Sequence, residues 1–197
     1  MISKRSEKIF PQPMFEILQE AQNLESQGKN IIHLEIGDSS SFKNNQLHNL
    51  VKKNLALTDS LEYSPSEGES KLREAFMFHY SILCGYEFTK DQVVVTPANA
   101  AISQLFNVLA DEGDHALIPD PGFPTYILAA KHNNIKPIHY LLEEKNNYQL
   151  DLKVIFSLIE SDPLIKIFVL NSPSNPLGIF QNSSDINKIV EFCFKKN

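Results

Sequence analysis

The sequence predicts an α/β protein built on a parallel sheet, and two patterns support this fold class. From residue 93 onward, short apolar runs alternate with stretches in which apolar residues recur three and four positions apart. The runs are apolar nearly throughout, as in strands covered on both faces, and strands that alternate with helices form parallel sheets. The strands predicted in this part of the chain are residues 93–95, 116–118, 138–140 and 165–170.

The helices are predicted from apolar stripes and from the residues that end them. A stripe in residues 13–27 ends at Gly28, and a stripe that starts at Lys71 ends at Gly85. Glycine often ends a helix because it tolerates a positive φ. Between these two helices, a short strand is predicted that ends at turn-forming residues. The segment from that turn to residue 66 has only a weak pattern. This strand covers residues 31–36 and its turn residues 37–41. Further helices are predicted around residues 102–109, 127–131, 152–159 and 186–193.

Composition limits the classes of function to be considered. The 197 residues are 42% hydrophobic and 21% charged, which suffices for one substantial core or for a large part of a bigger one. A net charge of −6 offers no cationic face to a phosphate backbone, so nucleic acid is not expected as a partner. No apolar run is long enough to cross a bilayer and none follows the charged N-terminus, so no membrane association is expected and the predicted location is cytoplasmic. The two cysteines and six histidines lack the spacing of a disulfide framework or a metal site, and neither is predicted.

Three loops are candidates for a binding site, because ligands of open parallel sheets bind beyond the carboxyl ends of the strands. The first loop, residues 96–101, consists of small residues and leads into a helix, so that a phosphate could approach its backbone N–H groups. Packing at a strand-to-helix turn would explain the same residues. The glycine patterns of nucleoside triphosphate and dinucleotide sites are absent from the sequence.

The other two loops follow the predicted strands 116–118 and 165–170. In residues 119–126, Phe123 lies between prolines, which suits a rigid stacking platform for a flat ring, although capping of the core would also explain an aromatic residue there. Residues 171–178 combine asparagine, proline and glycine, which fix a backbone and present amide side chains, although an ordinary turn has the same composition. The three loops leave the same edge of the predicted sheet and together favour a binding site.

In their order along the chain, these segments resemble those of the fold type I pyridoxal-phosphate enzymes and, within them, the class I/II aminotransferases. The resemblance runs from about Phe10 to the end of the chain, and its most specific motif is Asn-Pro-Leu-Gly at residues 175–178. Asn175 corresponds to the family's asparagine that hydrogen-bonds the phenolic oxygen of the cofactor, and Phe123 to the aromatic residue that stacks on its ring. The residues that match the phosphate cradle are Ala98, Asn99 and Ala100.

Two earlier segments also carry the resemblance. Residues 29–38 look like the segment in which a glycine, here Gly37, approaches the substrate carboxylate. Residues 63–73 are similar to the segment in which a tyrosine, here Tyr63, reaches the cofactor phosphate of the neighbouring subunit.

The resemblance implies a fold, a cofactor and a reaction. The expected fold is that of the fold type I transferases, with an N-terminal arm and part of a small domain in residues 1–42 and an incomplete parallel-sheet large domain in residues 43–197. The expected cofactor is pyridoxal 5′-phosphate. The expected reaction transfers an amino group between an amino acid and a 2-oxo acid, and the whole enzyme is expected to be a homodimer.

The family's Schiff-base lysine cannot be placed in this sequence, so no catalytic residue is assigned and the chain is expected to be an N-terminal fragment that is inactive by itself. Three residues depart from the family pattern: Ala98 replaces a glycine, Leu177 replaces a threonine, and Ser39 stands where a proline is common. The first two departures bear on cofactor affinity. Two alternatives stay open, namely another fold type I reaction, such as that of a carbon–sulfur lyase or a synthase, and a non-catalytic binding module.

Overall fold

The computed structural model describes residues 7, 11–37, 45–57 and 63–196. The chain divides into two compact units, of which one spans Pro13–Pro97 and the other contains Gln12 and the residues from Ala98 onward. The domain boundary predicted after residue 42, most of the turn predicted at residues 37–41 and the departure at Ser39 lie outside the described residues. No helix in the described ranges is both long and apolar enough to cross a membrane.

The described part of the Pro13–Pro97 unit is largely helical. Its helices are α1 (Pro13–Ser26), α2 (Asn45–Ala56) and α3 (Ser70–Cys84), followed by a 3₁₀ turn at Lys90–Gln92. α1 and α3 confirm the two helices predicted for this part of the chain, and Gly85 ends α3 with a φ of 61°. α2 was not among the predicted helices, although its apolar residues have helical spacing: Leu47, Leu50, Val51 and Leu55.

Two predicted strands of this unit are wrong. Neither residues 31–36 nor residues 93–95 form a strand in the structure. Ile32 and Leu34 are 83% and 88% exposed, and Val94 is 63% exposed. A strand needs a hydrogen-bonded neighbour, and none of the described segments lies beside either run as a strand.

Three parallel strands form the sheet of the second unit. They are β1 (His115–Asp120), β2 (Lys136–Leu141) and β3 (Ile165–Phe168), in the order β2-β1-β3. These strands confirm those predicted at residues 116–118, 138–140 and 165–170. β3 is two residues shorter than the strand predicted there. In the register of the sheet, Leu117 lies opposite Ile138 on one side and Phe168 on the other.

Helices cover both faces of this sheet. They are α4 (Ala98–Leu109), α5 (Pro124–His132), α6 (Leu152–Ser161) and α7 (Ser183–Phe194), and they confirm the four helices predicted here. Ala116 and Ile118 of β1 pack in one core with side chains of α4 and α5, whereas Leu117 packs in a second core with side chains of α6 and α7. All three residues are completely buried, so each face of the central strand lies against its own helix pair, as continuous apolar runs predict.

The amino ends of β1 and β3 are fixed by a polar contact. His115 Nδ1 lies 2.5 Å from Asp162 Oδ2, and Asp162 Oδ1 accepts a hydrogen bond from the Leu164 N–H at 3.1 Å. The hydrogen bond with His115 lowers the pKa of the Asp162 carboxyl group. The Asp162 side chain therefore joins the start of β1 to the turn that leads into β3.

A buried arginine connects several segments of the Pro13–Pro97 unit. Arg73 of α3 is only 8% exposed. Its Nε donates to the Val93 carbonyl oxygen at 2.7 Å, and its Nη2 donates to the Lys90 carbonyl oxygen at 2.8 Å. Its Nη1 lies 3.7 Å from a carboxylate oxygen of Glu67, whose backbone carbonyl accepts from the Val95 N–H. Arg73 thus ties both the loop before α3 and the segment after the 3₁₀ turn to that helix.

An imidazole holds the segment that follows α1. His33 Nδ1 lies 2.6 Å from Glu35 Oε1, and His33 Nε2 lies 3.0 Å from Oε1 of Glu25 in α1. The hydrogen bond with Glu35, and after it the one with Glu25, raises the pKa of His33 to about 8. Residues 31–36 are therefore tied to α1 through side chains, without sheet pairing.

We expect Arg73→Lys to lower the free energy of unfolding by about 1–3 kcal/mol, because a single ammonium group cannot make both of the forked bonds and leaves the half-buried carbonyl oxygen of Val93 or of Lys90 without its guanidinium donor. Urea unfolding followed by circular dichroism measures the loss. Lys71→Arg, the reverse exchange at an exposed position of α3, serves as the control, with an expected change below about 0.5 kcal/mol. Equal losses in the two variants would contradict the assigned role of Arg73.

The raised pKa of His33 predicts a pH-dependent contribution to stability. Because folding raises the pKa from 6.5 to about 8, this contribution is fully present below pH 6.5 and is lost as the pH rises through about 8. We expect Glu35→Gln to move the pKa of His33, followed by NMR titration, down toward 6.5. Glu20→Gln, at an exposed position of α1, should leave it near 8. A pKa that stays near 8 in Glu35→Gln would show that Glu35 does not cause the shift.

Candidate functional site

The candidate site lies at the carboxyl edge of the sheet in the second unit. β1 ends at Asp120 and its parallel neighbour β3 ends at Phe168, so the loops that follow these strands leave the same edge. The loop after β1 leads into α5 and carries Phe123, and the loop after β3 carries Asn175.

The predicted phosphate cradle forms the first turn of α4. The first N–H groups of a helix have no partner within the helix, and Pro97, the residue before α4, has no side-chain oxygen that could cap them. Ala98 and Ala100 add only methyl groups beside this turn. Asn99 Oδ1 accepts a hydrogen bond from Thr125 Oγ1 at 3.0 Å, which joins the start of α4 to the first turn of α5. The cradle residues thereby lie next to the loop that follows β1.

The loop after β1 is tightly constrained around the predicted ring platform. Phe123 occupies the N-cap position of α5 and is half-buried, with its ring edge-to-face against Tyr126 at a centroid distance of 5.9 Å. Burial raises the pKa of the Tyr126 hydroxyl group. A Cβ atom at Gly122 would lie 2.4 Å from the Pro119 carbonyl oxygen, so the turn requires glycine at this position.

The loop after β3 has a fixed backbone and an exposed asparagine. The Asn175 N–H donates to Asn171 Oδ1 at 2.7 Å, and the Gly178 N–H donates to the Ser174 carbonyl oxygen at 2.7 Å. The Asn175 side chain is exposed, and within the described residues its carboxamide has no hydrogen-bond partner. It is therefore available to a ligand at this edge.

A buried glutamine that the sequence analysis missed anchors this loop. Gln181 is 6% exposed, and its Oε1 accepts from the Leu150 N–H while its Nε2 donates to the Tyr148 carbonyl oxygen, both at 3.0 Å. Its own N–H donates to Ser172 Oγ at 3.0 Å. Since its side-chain partners lie more than 30 residues away in sequence, no local pattern distinguishes this residue.

The other two predicted site residues lie in the Pro13–Pro97 unit. Gly37 is exposed and follows the segment that His33 ties to α1. Tyr63 is fully exposed at the start of the loop that Arg73 holds. In the described ranges there is no group of three or more His, Cys, Asp or Glu side chains that could bind a metal ion.

Known proteins similar to this chain are aminotransferases. The sequence profile of aminotransferase class I and II matches residues 29–197. A tyrosine aminotransferase from Dictyostelium discoideum is 34% identical over 173 residues, which cover 84% of this chain and 41% of that protein. An aspartate aminotransferase from Geobacillus stearothermophilus is 27% identical over 194 residues, which cover 98% of this chain and 48% of that protein.

A solved structure agrees with these sequence relatives. An alanine aminotransferase from Pyrococcus furiosus has a TM-score of 0.89 at 26% identity, with 100% of this chain and 50% of that chain covered. This chain therefore spans about half the length of the relatives it matches. The likeness confirms the predicted fold type I architecture, and enzymes of this type depend on pyridoxal 5′-phosphate. The chain belongs to the class I and II aminotransferases.

Proposed function

We propose that this chain binds pyridoxal 5′-phosphate at the carboxyl edge of its sheet, in an enzyme that transfers an amino group from an amino acid to a 2-oxo acid. The observation that carries the proposal is the convergence of three groups at this edge. The hydrogen bond between Thr125 and Asn99 joins the first turn of α4 to the Phe123 loop, and the parallel pairing of β1 with β3 brings the Asn175 loop to the same side.

The groups present fit the parts of this cofactor. Its phosphate needs hydrogen-bond donors, which the N–H groups of Ala98, Asn99 and Ala100 supply in the first turn of α4, where helix N–H groups have no partner within the helix. Its flat ring needs an apolar face, which Phe123 supplies from a half-buried position. Its phenolic oxygen needs a donor, which the carboxamide of Asn175 supplies.

When bound, the cofactor supplies an electron sink for the electron pair released at the substrate Cα atom. The residues of this chain bind and orient it. We assign to Gly37 the backbone approach to the substrate carboxylate, and to Tyr63 a hydrogen bond to the cofactor phosphate of a second subunit. The homodimer that this second assignment requires, the cytoplasmic location and the division at residue 42 remain predictions.

We expect a full-length enzyme that contains this chain and the family's Schiff-base lysine to transfer ¹⁵N from an amino acid to 2-oxoglutarate when pyridoxal 5′-phosphate is present. Tyrosine, aspartate and alanine form the test panel, since these amino acids name the relatives. Mass spectrometry of the newly formed amino acid measures the transfer, and protein without cofactor is the control. Release of ammonia without transfer would instead support the lyase alternative, and retention of the cofactor without either reaction would support the binding module. Failure to retain the cofactor would contradict the proposal.

Asn175→Ala should raise the pKa of the phenolic group of bound pyridoxine 5′-phosphate by about 1, because the donated hydrogen bond stabilises the ionised oxygen. This ligand has no aldehyde and so does not react with lysine side chains. Its ultraviolet absorbance at saturation, followed against pH, measures the pKa. Asn182→Ala is the matched control, since Asn182 belongs to the same connection and its side chain makes no capping bond. An unaltered titration in Asn175→Ala would remove Asn175 from the site.

A further inference from the structure

A polar chain of three side chains crosses from residue 12 to the first turn of α4. Gln12 Nε2 donates to Thr125 Oγ1 at 3.0 Å, and Thr125 Oγ1 donates to Asn99 Oδ1 at 3.0 Å. Thr125 lies in the middle, in the first turn of α5, and is only 5% exposed. The chain therefore joins the predicted phosphate cradle to a buried hydroxyl group that the sequence analysis did not single out.

With the Gln12 carboxamide in the orientation that the structure shows, Nε2 toward Thr125, the direction of both bonds follows. An amide nitrogen can only donate, so the Thr125 oxygen must accept from Gln12. A hydroxyl group has a single proton, and with Gln12 as its donor that proton is directed to Asn99. The atom of Asn99 that faces Thr125 must then be the acceptor Oδ1.

This direction determines what Asn99 offers to a ligand. With Oδ1 bound to Thr125, the two N–H groups of Nδ2 have no partner within the described residues. A phosphate is acceptor-only and anionic, so it gains from an N–H donor and is repelled by a carbonyl oxygen. A flipped carboxamide would present the carbonyl oxygen in place of the donors.

We propose that Thr125 is a positioning residue for cofactor binding: it fixes the Asn99 carboxamide in the orientation whose Nδ2 donates to the cofactor phosphate, with Gln12 fixing the hydroxyl in turn. This inference rests on the proposed function. It also links two parts of the site, because Thr125 follows Phe123 by two residues and the same turn then sets both the ring platform and one phosphate donor.

The test compares pyridoxine 5′-phosphate with pyridoxine by isothermal titration calorimetry on the full chain. Thr125→Val keeps the shape of the side chain but removes the hydroxyl group, and we expect it to weaken binding of the phosphorylated ligand about 3- to 10-fold while binding of pyridoxine is unchanged. Thr125→Ser keeps the donor and should restore most of the affinity. In an Asn99→Ala background, Thr125→Val should have no further effect.

A second variant keeps the test independent of folding. Gln12→Ala alters a half-buried side chain outside the helices and releases the hydroxyl proton from its fixed direction, with an expected phosphate-selective loss of about 2-fold. Circular dichroism identifies any variant that fails to fold. Equal losses for both ligands, or a full effect of Thr125→Val in the Asn99→Ala background, would overturn the positioning role of Thr125 but not the proposed phosphate site. A wild-type chain that does not prefer the phosphorylated ligand would instead overturn the proposed phosphate site.

Discussion

The burial of β1 on both faces is the constraint on which the rest of the second unit depends. Ala116 and Ile118 face one core and Leu117 faces the other, so a shift of one residue in register would exchange the two faces. With the register fixed, the end of β1 is fixed as well. Since β2 and β3 both run parallel to β1, the chain must return along helices and leave every strand at the same edge. The position of the candidate site follows from this arrangement of the sheet.

At that edge, the protein restrains the backbone of the loops that carry the proposed binding residues. Gly122 permits a close approach to the Pro119 carbonyl oxygen, and Gln181 holds the loop after β3 through hydrogen bonds to Tyr148 and Leu150. Within the described residues, the exposed carboxamide of Asn175 has no partner. A group held in place before its ligand arrives loses little conformational freedom on binding, so this division between fixed backbone and free donor favours ligand affinity.

The elements that could be predicted are those indicated by the hydrophobic pattern of their own consecutive residues. Residues 116–118 are apolar at every position, and that pattern indicates a buried strand wherever its neighbours come from. Residues 93–95 have the same pattern, but a strand also requires a partner, and Arg73 and Glu67 bind this segment instead. The roles of Thr125 and Gln181 could not be predicted, because each acts through side-chain hydrogen bonds to residues at least 26 positions away. Phe123 and Asn175 could be named from family motifs, whereas the residues that hold their surroundings in place have no motif.

Two departures from the family pattern change the scaffold of the site rather than its donors. Ala98 is the first residue of α4 and lacks the positive φ that would demand glycine, and alanine favours a helix over glycine by about 1 kcal/mol. Leu177 packs against the core formed with α6 and α7, so it anchors the Asn175 loop through apolar contact. In exchange, position 177 loses the hydroxyl group of threonine, and position 98 loses the open space that a glycine leaves beside the first turn. The backbone N–H groups of α4 and the Asn175 carboxamide are present in either case, so the departures leave these proposed donors to the phosphate and the phenolic oxygen in place.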